Sequence, residues 1–197
     1  VFGGLLMSVK RGLDTQTILT AAAELAEEKG LENVSLVQIA EKLGIKPPSL
    51  YNHVNGMQEL TEGIAKLAVG RLEEVVRNAA VGRSKDDALT AVALAYRRFA
   101  GENPELYKAI LRFPDCHTKD VQETGHAVVR ILYQVMEPYQ YSKKETIHFV
   151  RGFRSALHGF VSLEAAGFFR DGEADVDESY MKLVSRLIST LHTEEGA

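Results

Sequence analysis

Lys46, Pro47, Ser49, Tyr51, Asn52 and His53 bring hydrogen-bond donors, an aromatic hydroxyl and one apolar wedge into a span of eight residues. That mixture suits a DNA major groove. Lysine reaches guanine O6 and N7, serine and asparagine bond base edges or phosphates, and proline touches a thymine methyl. Two amphipathic helices joined at a glycine also occur in helical proteins that bind no DNA, so spacing alone leaves both uses open. Elsewhere, Ser155 and His158 lie three apart on a predicted helix, as a nucleophile and its base would. No strand-turn-helix context or glycine-rich loop supplies the orienting acid and oxyanion hole such a pair needs, so the chain is not read as an enzyme. Cys116 adjoins His117 but lacks the spaced second pair of a zinc site, and neither metal nor cofactor is expected.

Two short helices must hold the first group. Ser35, with Gln38 three residues on, reads as a capping box that starts a helix at Leu36. Leu36, Ile39, Ala40 and Leu43 give that helix one buried face, and Gly44 ends it. Pro47 and Pro48 tolerate only the first turn of a helix, so they open a second one, with Leu50 and Val54 as its inner stripe. Ahead of both, a helix capped by Asp14 runs over 15–29 with Ile18, Ala22, Leu25 and Ala26 on one face and Gly30 as its stop. These three helices share a core that is marginal alone.

The run Ile39-Ala40, Leu43-Gly44-Ile45 and Leu50-Tyr51-Asn52-His53-Val54, closing with Glu59-Leu60, closely resembles the DNA-binding domain of the TetR (tetracycline-repressor-like) family of transcriptional regulators. The resemblance implies that Lys46, Pro47, Pro48 and Ser49 read base edges and that Tyr51 and His53 bind phosphates. Ser35, Val37 and Asn52 complete the candidate DNA face. Two positions depart from the family pattern: a basic residue usual near Gly56-Met57 is missing, and Val37 stands where a polar residue is common. The segment Asn103-Pro104-Glu105-Leu106-Tyr107 and the run from Phe153 through Leu157-His158-Gly159-Phe160, Leu163-Glu164 and Gly167-Phe168 resemble the C-terminal domain of one subgroup. That resemblance places a small-molecule effector pocket in this half of the chain.

The chain has 197 residues, 45% of them hydrophobic, which allows a sizeable core and one or two domains. Its net charge of −4 argues against nonspecific coating of nucleic acid but leaves room for a local basic footprint. No apolar run reaches the length of a membrane span, and no positive segment precedes the apolar residues at the start as in a signal peptide. A lone Cys116 fits a reducing compartment, and a cytoplasmic protein is expected.

Helical periodicity continues to the end. Asn55 with Gln58 reads as a second capping box ahead of a long bridging helix; Ser84 caps the next; Asn103 and Pro104 open a short one. Further helices are expected over about 119–137, 142–169 and 177–192. The fold class is all-α, with a disordered arm over 1–12, a three-helix helix-turn-helix domain over 13–56 and a helical ligand-binding and dimerisation domain over 57–197. Tyr96, Phe99, Tyr107, Ile110, Phe113, Tyr133, Met136 and His158 are the candidate ligand set, although the same aromatic residues could fill a core. The last two helices carry more apolar surface than one partner helix covers, so Phe153, Leu157, Phe160, Val161, Tyr180, Val184, Leu187, Ile188 and Leu191 are expected to form a homodimer interface. The expected partners are a palindromic double-stranded DNA operator, a second copy of the chain and a small apolar effector that releases a repressor from DNA, with no membrane. The alternative is a helical dimer whose N-terminal unit binds a protein rather than DNA.

Overall fold

Capping side chains set the start of α-helices in both halves of the chain. In the computed structural model, which describes residues 13–112, 126–169 and 172–193, the Asp14 side chain accepts the Thr17 N–H at 2.7 Å and α1 runs Thr15–Lys29. After a 3-10 turn at Leu31–Asn33, the Ser35–Gln38 capping box forms in both directions and opens α2, Leu36–Leu43. Gly44, at φ 65° and ψ 31°, takes the left-handed cap that a side chain would strain. The expected second helix is instead a 3-10 helix over Pro47–Asn52. With no N–H on Pro47 or Pro48, the first bond available runs from Ser49 N–H to the Lys46 carbonyl, three residues back, at 2.9 Å.

The second expected capping box does not form. Both the Asn55 N–H and its side-chain amide donate to Glu59 Oε2 at 2.8 Å, Gln58 takes no part, and Gly56 stands without a side-chain cap at the start of α3 (Met57–Ala80). It packs on α1 near its start and, further along, on α4 (Lys85–Glu102), α5 (Pro104–Leu111) and α6 (Ala127–Met136). A 3-10 turn at Glu137–Tyr139 leads to α7 (Lys143–Ala165), opened by a Ser142–Glu145 capping box, and α8 (Val176–Thr193) closes the bundle. Helix α7 stops at Ala165 and not at 169, because Gly167 turns left-handed at φ 77° and the Phe168 N–H returns to the Leu163 carbonyl at 3.0 Å. Ser84 and Asn103 stand at their expected cap positions, but neither side chain makes a capping bond. The N-terminal arm with Lys10 and Arg11, Phe113, the Cys116–His117 pair and the first part of the 119–137 helix lie outside the described residues.

Arg97 ties the last two helices to α4. Its guanidinium donates twice to Glu164, at 2.6 and 2.8 Å, and once to Asp177 at 2.7 Å, while lying 4.9 Å from the Tyr180 ring centre. Tyr180 in turn donates to the Ala93 carbonyl at 2.7 Å. Among the described residues no helix is long and apolar enough to cross a membrane, and no cluster of His, Cys, Asp and Glu could hold a metal ion.

At the crossing of α1 and α3, a Cβ added to Gly63 would lie 2.4 Å from Leu19 Cδ2. Replacing Gly63 by valine should therefore cost about 1–3 kcal/mol through overpacking. A lower urea midpoint at unchanged slope is the expected result; a midpoint equal to that of wild type would mean that Leu19 moves aside freely.

Candidate nucleic-acid interface

A 3-10 helix repeats every three residues, so side chains three apart stack in rows. Leu50 is buried, and Pro47 and His53, three residues to either side of it, are half-buried in the same row. Pro48 and Tyr51 form a second, exposed row, and Lys46, Ser49 and Asn52 form the third, exposed at both ends. Buried Leu50 and Val54 are the anchors, and the His53 and Val54 N–H groups both bond the Leu50 carbonyl, at 2.9 and 3.0 Å. The open part of the candidate face is thus Lys46, Pro48, Tyr51 and Asn52, with Tyr51 59% exposed, and Val37 of α2 is open to solvent at 53%. Ser35 has already committed its hydroxyl to Gln38, and Pro47 and His53 reach outward only partly.

Charge on this unit is distributed by specific pairs. Lys42 on α2 is held by Glu28 at 2.8 Å and Glu24 at 3.2 Å on α1, which keeps the Glu28 carboxyl below its usual range. That lysine braces α2 against α1. Lys46 makes no ion pair with a described residue, so its charge is free for a partner.

In the C-terminal half the candidate ligand residues separate into two groups. Tyr96 and Tyr107 are buried with hydroxyls 2.9 Å apart and rings edge to face, and the Tyr107 hydroxyl lies 2.6 Å from His158 Nδ1. Burial, and then the nearby Arg154 charge, pushes the His158 pKa down, favouring a neutral ring. With its proton on Nε2, that ring accepts from Tyr107, which in turn accepts from Tyr96. Burial holds both phenols above their usual range. Phe99 is buried and Ile110 half-buried. Tyr133 and Met136 do not join this chain. They line a separate cleft of about 440 Å³ with Glu137, Tyr141, Lys143, Thr146 and Ile147. Ser155 is exposed while the His158 Nδ1 faces Tyr107, which leaves that nitrogen unable to serve Ser155 as a base.

Most of the expected dimer residues are covered by their own chain. Phe153, Leu157, Val161, Tyr180, Val184, Ile188 and Leu191 are buried within the single chain, and Phe160 and Leu187 are half-buried, Phe160 lying 4.9 Å from the Tyr180 ring. Helix α4 and the Arg97 contacts cover the surface that periodicity alone assigned to a second subunit. Open to solvent on α7 are Gly152, Ser155 and Leu163 with Arg151 and Arg154, and on α8 Met181, Ser185 and Ser189 with Lys182 and Arg186.

Sequence reasoning missed Glu27. It carries no motif, yet its carboxylate accepts the Leu106 N–H at 2.8 Å and the Glu105 N–H at 3.3 Å, where α5 begins.

Comparison with known proteins agrees with this geometry. The family model for "Bacterial regulatory proteins, tetR family" matches residues 18–64, and that for "Tetracyclin repressor-like, C-terminal domain" matches residues 89–187. The HTH-type transcriptional regulator YobS of Bacillus subtilis is 36% identical over 186 residues, covering 94% of this chain and 96% of the relative. The class D tetracycline repressor protein of Escherichia coli is 31% identical, over 93% of this chain and 82% of its own. Among solved structures, a single-site variant of a TetR from Acinetobacter baumannii AYE, in complex with minocycline, superposes with a TM-score of 0.67 at 20% identity, over 94% of this chain and 100% of that one.

Proposed function

The chain belongs to the TetR family of helix-turn-helix transcriptional regulators, and from that premise we propose that it is a homodimeric repressor of a palindromic operator, released by a small, largely apolar molecule. The observation that carries the DNA reading is the exposed set of Lys46, Pro48, Tyr51 and Asn52, standing on buried Leu50 and Val54. Lys46 and Asn52 read base edges and Tyr51 meets a phosphate; two copies related by a two-fold axis meet successive major grooves about 34–36 Å apart. The second copy docks on the open side of α7 and α8, where the exposed apolar side chains Leu163 and Met181 stand among the short residues Gly152, Ser155 and Ser185.

The effector reading draws support from the 31% identical relative, a tetracycline repressor by name, and from the minocycline complex of the Acinetobacter protein. Its polar anchors are Tyr96, Tyr107 and His158, and the cleft lined by Tyr133, Met136 and Ile147 together with Glu137 and Lys143 is an opening in the same domain. A tenfold loss of operator affinity requires about 1.4 kcal/mol of preference for the released state. The alternative in which the N-terminal unit binds a protein is not favoured by a family of DNA-binding regulators.

Selection from random duplexes tests the proposal. Recovery of an inverted repeat, bound more weakly when a thermal-shift hit from a library of hydrophobic compounds is added, is the expected result. Recovery of no symmetric sequence would refute the operator reading; an operator that no stabilising compound weakens would refute the effector alone.

A further inference from the structure

We propose that Glu27 and Glu105 are positioning residues: a crossed clasp that sets the angle of the DNA-reading unit on the C-terminal domain, and with it the separation of the two recognition elements in the dimer. The inference rests on the operator reading above and concerns how the spacing is held.

Helix α5 begins at Pro104, and its next two N–H groups, on Glu105 and Leu106, have no partner inside the helix. Asn103 would ordinarily satisfy one of them. Its side-chain amide instead donates backwards to the Phe99 carbonyl at 3.0 Å and closes α4. The cap comes from 78 residues away, where Glu27 on α1 places Oε1 2.8 Å from the Leu106 nitrogen and Oε2 3.3 Å from that of Glu105. A carboxylate there is doubly favoured, by the two donors and by the positive end of the helix dipole.

The second arm runs the other way. Glu105 Oε2 accepts the Leu31 N–H at 2.8 Å, at the start of the 3-10 turn that joins α1 to α2. Gly30 makes the turn that presents this N–H: at φ 91° it adopts a conformation that strains a side chain, and a Cβ built there would stand 3.2 Å from the Asn33 amide nitrogen. The Leu31 N–H, and then Lys108, hold the Glu105 carboxyl below its usual range. At the far end of α5, Arg112 pairs with Glu32. An eight-residue helix of the C-terminal domain is therefore pinned along the first two elements of the DNA-reading unit.

Covalently, that unit joins the rest of the described chain through α3, and a single helix leaves a pivot about its own axis. Two oppositely directed carboxylate-to-amide bonds remove the pivot, because each loses strength when its angle opens. One residue further along α5, Tyr107 turns inward to Tyr96 and His158. A change at those hydroxyls reaches the clasp through one rigid helical turn.

Half-site spacing reads the clasp directly. The operator selected by the wild type is rebuilt with one base pair inserted or removed at its centre, a shift of about 3.4 Å. Wild-type protein should lose at least about tenfold on either altered duplex, whereas Glu27→Ala and Glu105→Ala should bind all three within about threefold of one another, a difference worth roughly 0.7 kcal/mol or less. Glu27→Gln, which keeps an oxygen for the Leu106 N–H, should recover most of the discrimination. If one alanine variant fails to melt cooperatively, the other alanine variant and Glu105→Gln, which keeps a single weaker acceptor for the Leu31 N–H, carry the comparison. Wild-type discrimination in all the variants overturns the clasp, and so does a uniform loss of affinity that leaves discrimination unchanged, which is what a merely structural role predicts. Failure of the wild type to select any symmetric duplex overturns the operator reading itself, and the clasp with it.

Discussion

A protein with Lys46 and Tyr51 both replaced by alanine melts close to the wild-type temperature and loses at least about a hundredfold in operator affinity. Stability is spared because both side chains are exposed, and the buried anchors Leu50 and Val54 are left in place. Affinity falls steeply because symmetry counts each loss twice. A base contact is worth about 1–3 kcal/mol, and a dimer forfeits it in both half-sites. The single variants should separate the roles. Tyr51→Ala weakens every duplex alike, as a phosphate contact does, whereas Lys46→Ala relaxes the preference at one base pair per half-site. Anisotropy titrations on the selected operator and on single-base variants of it make the measurement. A folded, dimeric double variant that binds as tightly as wild type would remove the groove assignment.

The other large effect separates core from interface on the same two helices. Val184→Asp should yield no soluble folded protein. Val184 is wholly buried inside one chain, and an unpaired carboxylate there costs several kcal/mol, comparable with the total stability of a domain of this size. Leu163→Lys should behave differently, because Leu163 is 46% exposed on the open face of α7. It should give a helical protein that sediments as a monomer at micromolar concentration and binds operator weakly. Circular dichroism and sedimentation velocity decide the matter: a soluble, folded Val184→Asp monomer would return that residue to the interface, and a dimeric Leu163→Lys would place the partner on another face.

The early α-helices were legible in the chain because their determinants are local. Asp14, Ser35 with Gln38, and Gly44 each act within four residues, so a cap read from spacing becomes a cap in three dimensions. The all-α class and the exposure of Lys46, Pro48, Tyr51 and Asn52 around buried Leu50 follow from the same short-range rules. Those rules misjudge several segments where local options compete. Two prolines turn the recognition segment into a 3-10 helix, Glu59 outcompetes Gln58 for Asn55, and Asn103 bonds backwards instead of forwards.

Tertiary structure alone decided which apolar faces meet and which charges pair. The stripe on α7 and α8 has the same periodicity whether a second subunit or α4 covers it, and only packing places Phe153, Leu157, Tyr180 and Val184 inside one chain. Likewise Tyr96, Tyr107, Tyr133 and Met136 are equivalent aromatic and flexible residues in sequence, yet the first two close a buried hydrogen-bonded chain with His158 while the others open on a cleft. Glu27 makes the case most sharply: one glutamate among several on α1 caps a helix 78 residues away, because hydrogen bonds are satisfied by proximity in space and carry no record of separation along the chain.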